Sequence, residues 1–392
     1  MPDDRVILCL NSGSSSRKIA LFRLGQSAEE LLAEGAAEEI GSRAGRLWLR
    51  DGGKRMLCDY ERDFSGPGDP LLALFDEIDR LQLPRPDAAG HRLVHGGAHH
   101  VAPERITPAI TEALRRLVPF APLHLPGELE GIEATAARYP DLPQVACFDT
   151  AFHRQMPEVA QRFALPRALW DEGIRRFGFH GISFEYIMQT LADAAPSRII
   201  IAHLGNGASM AAIRDGRPLD TTMGFTPAGG FMMGTRSGDL DPGILLYLLK
   251  EKGYDAESLE RLINHQAGLL GVSGISADMK VLLERREADP NAAQAVEMFC
   301  YQVRKYIGAL AATLGGLDLL VFTAGIGERA APVRWEICCG LEYVGIRLDH
   351  ERNSEHADVI STSDSRCIVR VIPTNEDLMI ARHTCRVVFG TA

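Results

Sequence analysis

Two stretches far apart in the sequence carry the same kind of chemistry. Residues 6–10 (Val-Ile-Leu-Cys-Leu) lead into Asn11-Ser-Gly-Ser-Ser-Ser16 and then Lys18-Ile-Ala-Leu-Phe22. Residues 199–204 lead into Gly205-Asn-Gly-Ala-Ser209 and then Met210-Ala-Ala-Ile213. Each reads as strand, turn of small residues, strand. Laid end to end, Gly13 falls on Gly207 and Ser15 on Ser209. Glycine and serine let backbone N–H groups approach an anion closely and add hydroxyl donors. Two such turns imply a duplicated domain with a phosphate chain held between the copies. The first lacks the G-x-x-x-x-G-K-[ST] order and turns into a strand rather than a helix, so it is a hairpin phosphate loop and not a P-loop.

Four further segments concentrate reactive side chains. Arg92, in His91-Arg-Leu-Val-His-Gly-Gly97, lies in an apolar strand before a double glycine. It suits either a structural ion pair or a bidentate clamp on carboxylate or phosphate. Arg175-Arg-Phe-Gly-Phe-His180 puts two guanidiniums and an imidazole beside glycine. The run from Asp220 to Pro242 is rich in Gly and hydroxyl residues and carries one arginine in its loop, Arg236. Thr323-Ala-Gly-Ile-Gly-Glu328-Arg329-Ala330 reads as a glycine turn after an apolar strand. It formally satisfies G-x-G-x-x-A with Asp349 downstream. That is the rival reading of a dinucleotide-binding oxidoreductase, although too little chain follows for a full mononucleotide half.

The elements that must position these residues follow from periodicity. Residues 70–83, 110–117 and 129–139 have helical spacing, and residues 144–148 form a strand delivering Asp149 to its end. The order then repeats: strands within 199–223, helices at 244–250, 256–264 and 292–314, and a strand at 319–322. Strand runs followed by helices, twice over, predict an α/β fold of two mixed sheets. The expected domains are 1–149, with a C-terminal helix at 376–392 packing back on it, and 150–375. No low-complexity linker separates them, so they are expected to share a central cleft.

Composition narrows the classes. The chain has 392 residues, 46% of them hydrophobic and 24% charged, which suits a two-domain globular protein. A net charge of −10 argues against a broad nucleic-acid surface. Eight scattered cysteines without a C-x-x-C pair predict reduced thiols, a cytoplasmic location, and neither zinc nor disulfides. Residues 6–10 are too short an apolar run for a secretion signal, and no membrane span is expected.

These motifs, taken in order, resemble the acetokinase family, within the superfamily of acetate and sugar kinases, heat-shock chaperones and actin. The likeness runs nearly end to end, through Asn11-Ser-Gly-Ser-Ser-Ser16, Phe148-Asp-Thr-Ala-Phe-His153, Arg176-Phe-Gly-Phe-His-Gly181 and the 223–242 segment. The resemblance implies duplicated ribonuclease-H-like, actin-like ATPase domains, and reversible phosphoryl transfer from ATP to acetate giving ADP and acetyl phosphate. It further implies Mg²⁺, with Mn²⁺ as the substitute, and a homodimer. Asn11 and Glu376 would lie at the metal. Lys18, Ser14 and Ser16, with His203, Leu204, Gly205, Asn206 and Gly207, would hold the phosphates. Arg92 would bind the acid, His180 and Arg236 the transferring phosphoryl group, and Asp149 would be the active-site carboxylate. Asp278, Met279 and Lys280, with Gly325, Ile326, Gly327, Glu328 and Arg329, would hold the adenosine end.

The acid pocket would comprise Val94, Leu123, Phe179 and Pro227, where valine rather than alanine at Val94 favours acetate over propionate. One methylene discriminates by only about 1–3 kcal/mol, so propionate is an expected slower substrate. A carboxylate nucleophile is already ionised at neutral pH, so Asp149 is expected to orient arginine, water or metal, although the family assignment makes it a proton carrier. Departures from the family pattern fall at Leu125, Phe184, Gly229, Lys280 and Arg329. A non-enzymatic nucleotide switch, like the chaperone and actin relatives, remains the third reading.

Overall fold

The computed structural model describes residues 4–12, 16–25, 28–65, 70–122 and 124–390. Gly13, Ser14, Ser15 and Leu123 lie outside the described residues. The chain divides into two compact units: one runs to Phe152 and resumes at Asn375, and the other is His153–Thr374.

The first unit is built on an eight-stranded sheet of β1 (Arg5–Ser12), β2 (Ser16–Leu24), β3 (Glu29–Glu38), β4 (Gly45–Asp51), β5 (Met56–Arg62), β6 (Ala88–Leu93), β7 (Glu104–Arg105) and β8 (Gln144–Phe148). Their order is β5-β4-β3-β2-β1-β6-β8-β7. β1 and β2 form an antiparallel hairpin, and β6 then pairs parallel to both β1 and β8. Strands flanked by parallel neighbours are buried on both faces. β6 is such a strand and is buried apart from Arg92; of its neighbours, β8 is buried throughout and Ile7 to Leu10 of β1 are almost wholly inaccessible.

Helices α1 (Pro70–Arg80) and α3 (Leu125–Arg138) pack against the sheet, and Leu71, Leu74, Phe75 and Ile78 of α1 join Leu8, Leu10, Leu47 and Leu49 in one core. α2 (Pro108–Arg116) lies on α3 and is capped by the Thr107 hydroxyl. The C-terminal helix Glu376–Phe389 packs on β1 and β6. It approaches so closely at Gly90 that a Cβ there would lie 2.1 Å from Thr384 Oγ1 and 2.6 Å from Ile380 Cγ2.

The second unit has a five-stranded sheet of β9 (Arg198–Leu204), β10 (Ala208–Arg214), β11 (Arg217–Thr221), β12 (Leu319–Thr323) and β13 (Ile368–Val371), ordered β11-β10-β9-β12-β13. Antiparallel hairpins come first, then parallel pairing of β12 with β9 and β13. This repeats the β3-β2-β1-β6-β8 portion of the first sheet. Beside it runs the helix Pro290–Leu314, opened by the Asp289 carboxylate and proline and closed by left-handed Gly315.

Three expectations need adjusting. Residues 323–328 form a short helix, Ala324–Arg329, rather than a glycine turn. Its own Glu328 carboxylate accepts from the Ala324 N–H, satisfying a helix-start donor. α3 begins at Leu125, a full turn before the expected 129, because Pro126 in its first turn needs no N–H partner. The two hairpins also differ in loop length: the ladders close at Ser12–Arg17 and Leu204–Ala208, so the end-to-end alignment of the turns is not a structural register.

Candidate functional site

In the second unit the β9–β10 hairpin brings together residues from three regions. A Cβ at Gly207 would stand 3.4 Å from both Arg236 Nη1 and His180 Nε2, so both nitrogens face the hairpin turn at this glycine. His180 has a left-handed backbone (φ 58°), uncommon outside glycine, immediately before the helix Gly181–Leu191. Its ring stacks on His203 of β9, with centroids 4.2 Å apart and planes at 16°.

Each imidazole is oriented by a serine. His180 Nδ1 is 2.9 Å from Ser209 Oγ, and His203 Nδ1 is 2.8 Å from Ser183 Oγ. The second contact continues: Ser183 donates to Thr374 Oγ1, and the Thr374 N–H donates to Glu328 Oε1. Glu328 thereby ties the stacked imidazoles to the helix Ala324–Arg329. Arg236 Nη1 donates to the Pro227 carbonyl at 3.2 Å, which brings Pro227 into the same cluster. Phe179 is buried, and its carbonyl lies 3.1 Å from His153 Nε2.

Next to the hairpin is a cavity of about 830 Å³ lined by Gly205, Asn206, Asp278, Met279, Lys280, Gly325, Ile326 and Arg329, among others. Its size suits a nucleoside. His203, Leu204, Gly207, Gly327 and Glu328 are not in its lining. Gly207 faces His180 and Arg236 instead, and Gly327 is buried in the helix. Asp278 caps the helix that presents Lys280, accepting from the Lys280 N–H at 2.8 Å.

The rival motif reading fails on local chemistry. Asp349 accepts from the Arg352 N–H as the cap of a short helix, and Ala324–Arg329 opens with a carboxylate already on its N-terminus. Arg176 is structural: its Nη1 donates to the carbonyls of Thr221, Thr222 and Met223. Arg175 rests over the Trp170 ring.

The first unit gathers an ionic cluster instead. Register pairs Arg92 of β6 with Cys147 of β8, and the Asp149 N–H donates to the Leu93 carbonyl, so Asp149 emerges beside Arg92. The guanidinium donates through Nε (3.1 Å) and Nη2 (2.8 Å) to Asp149 Oδ2, and through Nη1 to Glu376 Oε2 at 3.3 Å. Burial alone would lower the Arg92 pKa, but Asp149 and Glu376 hold it above its ordinary value. Glu376 opens the C-terminal helix, so the close approach at Gly90 also sets its position.

Glu376 Oε1 is buried without a hydrogen-bond partner among the described residues. An orphaned carboxylate oxygen is a fitting donor for a hard divalent cation. Asn11 pairs with Lys18, whose side chain is exposed, one step before the β1–β2 ladder closes, and Ser16 begins β2. Among the described residues no three His, Cys, Asp or Glu side chains cluster as a metal cage.

Sequence reading missed Ser183, Thr374 and Glu128. Glu128, in the first turn of α3, is buried, and both its carboxylate oxygens lie 3.2 Å from the Val94 N–H. A helix start placed at Pro126 would have exposed it. Of the departures, Phe184 is fully buried and sets its edge against His153 and His203, and Leu125 is likewise core. A Cβ at Gly229 would already stand 3.4 Å from Asp239 Oδ1, which accepts from the Gly230 N–H. A glutamate there would bring a second carboxylate toward Asp239.

The Acetokinase family model matches residues 6–382. An acetate kinase of Rhodopseudomonas palustris is 46% identical over 395 residues, covering 98% of this chain and 99% of its own. The crystal structure of Porphyromonas gingivalis acetate kinase superposes with a TM-score of 0.87 at 38% identity, over 98% of this chain and 100% of that one. A propionate kinase from Francisella tularensis gives 0.92 at 36%, with the same coverages. With the repeated sheet, the hairpin, and the motifs in one order from end to end, the chain belongs to the acetokinase family.

Proposed function

We propose that this chain is an acetate kinase, transferring the terminal phosphoryl group of ATP reversibly and directly to acetate to give acetyl phosphate and ADP. The carrying observation is the convergence of Arg236 Nη1 and His180 Nε2 on the open space at Gly207, beside a nucleoside-sized cavity in the same unit. Phosphoryl transfer needs little covalent help from the protein. It needs in-line placement and positive hydrogen-bond donors around the equatorial oxygens. A guanidinium and an imidazole fixed by Ser209 answer that need.

Arg92 binds the acetate carboxylate, with Val94, Leu123, Phe179 and Pro227 as the apolar lining. Asp149 orients Arg92 through the paired contacts above and takes no proton, because acetate already enters as an anion. An acetate oxygen attacks the γ-phosphorus, the bond to the β-bridging oxygen breaks, and ADP leaves with that electron pair. Lys18, Ser14, Ser16 and residues 203–207 hold the phosphates. Asp278, Met279, Lys280 and residues 325–329 hold the adenosine. Mg²⁺, or Mn²⁺ in its place, bound by Asn11 and Glu376 would neutralise phosphate charge.

Incubating the protein with ATP, Mg²⁺, acetate and hydroxylamine should yield acetohydroxamate. ATP hydrolysis without hydroxamate would instead identify a nucleotide switch. The structural likeness to a propionate kinase favours propionate as the second acid. Acetate should have the higher kcat/KM, and propionate equalling it would reverse the preference.

The helix Pro242–Glu251 buries none of its residues within the chain and exposes Ile244, Leu246, Tyr247 and Leu249. A second copy of the chain would cover this face, as a homodimer. Light scattering should give twice the chain mass, falling to one in L246R/Y247D. The free thiols fit a reducing cytoplasm. No helix among the described residues is long and apolar enough to cross a membrane.

A further inference from the structure

Arg92 is ringed by more acid than its charge balances. Asp149 and Glu376 touch it, and Glu128 lies close enough to both Asp149 and Arg92 for their charges to act on it. Glu128 itself takes no part in the transfer described above. Its carboxyl is buried on the backbone N–H of Val94, two residues past Arg92 and the first residue beyond β6. It therefore fastens the strand end that carries both the acid-binding guanidinium and one wall of the acid pocket.

The groups facing Glu128 come from several elements: Arg17 from β2, Arg92 from β6, and Asp149 after β8, with Glu376 of the C-terminal helix reaching it through Arg92. On its own helix, Glu130 pairs with Arg17 and so draws off part of that positive field. Burial, reinforced by Asp149, pushes the Glu128 carboxyl up to about 8, against the pull of the Val94 amide and the two arginines. At neutral pH the group is then largely uncharged.

We propose that Glu128 is a positioning residue for the acid substrate: its neutral carboxyl holds the Val94 amide, and its ionisation adds a third negative charge around Arg92 that weakens the grip on the substrate carboxylate. This rests on the acid-binding role of Arg92 and Val94 given above. The effect belongs to acid binding and not to phosphoryl transfer, so it separates KM from kcat. Acetate and Arg92 keep their charges throughout the range in which Glu128 titrates.

The test is the KM for acetate and the kcat between pH 6.5 and 9.5, at saturating Mg²⁺–ATP, for wild type, E128Q, E128D and R92K. Wild-type KM should rise on the order of tenfold through pH 8, with kcat changing less than about twofold. E128Q should lose the rise. E128D, too short to reach the Val94 N–H, should have an elevated KM at every pH. A flat wild-type profile overturns the proposal, as does a rise that persists in E128Q. Should E128Q fail to fold, as read by thermal melting, the wild-type and E128D profiles decide. R92K separates the two layers. If it leaves KM unchanged, the acid-site assignment itself is wrong. If it raises KM while the wild-type profile is flat, only the role of Glu128 fails.

Discussion

In the first unit the strand beside β1 delivers Arg92 into a ring of carboxylates, whereas in the second the hairpin strand β9 delivers His203 against His180 and a row of hydroxyls. The order of the second sheet repeats five strands of the first, so within that shared portion the difference lies in the side chains at the strand ends. The ionic end is held by charge pairing within a buried setting. The imidazole end is held by uncharged hydrogen bonds and by backbone in the left-handed region at His180 and Ala324. A repeated scaffold thus carries a carboxylate-ringed guanidinium in one half and hydroxyl-held imidazoles in the other, for which the proposed ligands are the acid anion and the phosphate oxygens. Removing a group should therefore cost different things in the two units.

The largest effect is expected from R92A, which removes the acid clamp and leaves Asp149 and Glu376 without their cation. Acetate kcat/KM should fall by about 10³ or more. Stability should fall by about 3 kcal/mol, because breaking a buried pair strands its partner. In the second unit R236A should lower kcat by about 10²–10³, the usual loss for one donor to transition-state charge, with acetate KM within about twofold. Equal effects of both variants on KM would erase the contrast drawn between the units.

Each unit also buries an imidazole outside the stacked His180–His203 pair. Burial lowers His91 and His153 to about 4, below the ordinary value of 6.5. A depressed histidine is protonated first in the unfolded chain, so stability should be lost as pH falls from about 6.5 to about 4. The loss is at most about 3 kcal/mol for each group. Melting temperature against pH for H91Q and H153Q separates the two contributions. Close packing in the first unit predicts that G90A costs about 2 kcal/mol, through collision with Thr384 and Ile380. The smallest change is expected from S183A, which cuts the link from His203 to Thr374 and Glu328. One lost hydrogen bond of about 1 kcal/mol corresponds to about a fivefold fall in kcat, checked by steady-state rates with Ser183→Thr as the restoring variant.

Much of this was legible in the sequence where a pattern is local. The two hairpins, the strand before Asp149 and the helix expected at 292–314 each announce themselves by apolar period and by flanking Gly, Pro or Asp. What was not legible depends on pairing across the chain. Nothing in the sequence joins Arg92 to Asp149 and Glu376, because their meeting requires the parallel β6–β8 register and the docking of the C-terminal helix at Gly90. Ser183 and Thr374 were invisible for the same reason, being single hydroxyls without spacing. The reading of 323–328 as a glycine turn failed because Glu328 supplies the missing helix cap from within the motif. Glu128 escaped because a helix starting at 129 leaves it in a loop.

Calorimetric titration with ADP in the absence of metal tests the separation of roles most directly, applied to wild type, R92A and R236A. R92A should bind ADP within about twofold of wild type while its acetate kinetics collapse, since Arg92 is none of the residues proposed to hold the nucleotide. A tenfold loss of ADP affinity in R92A would contradict it.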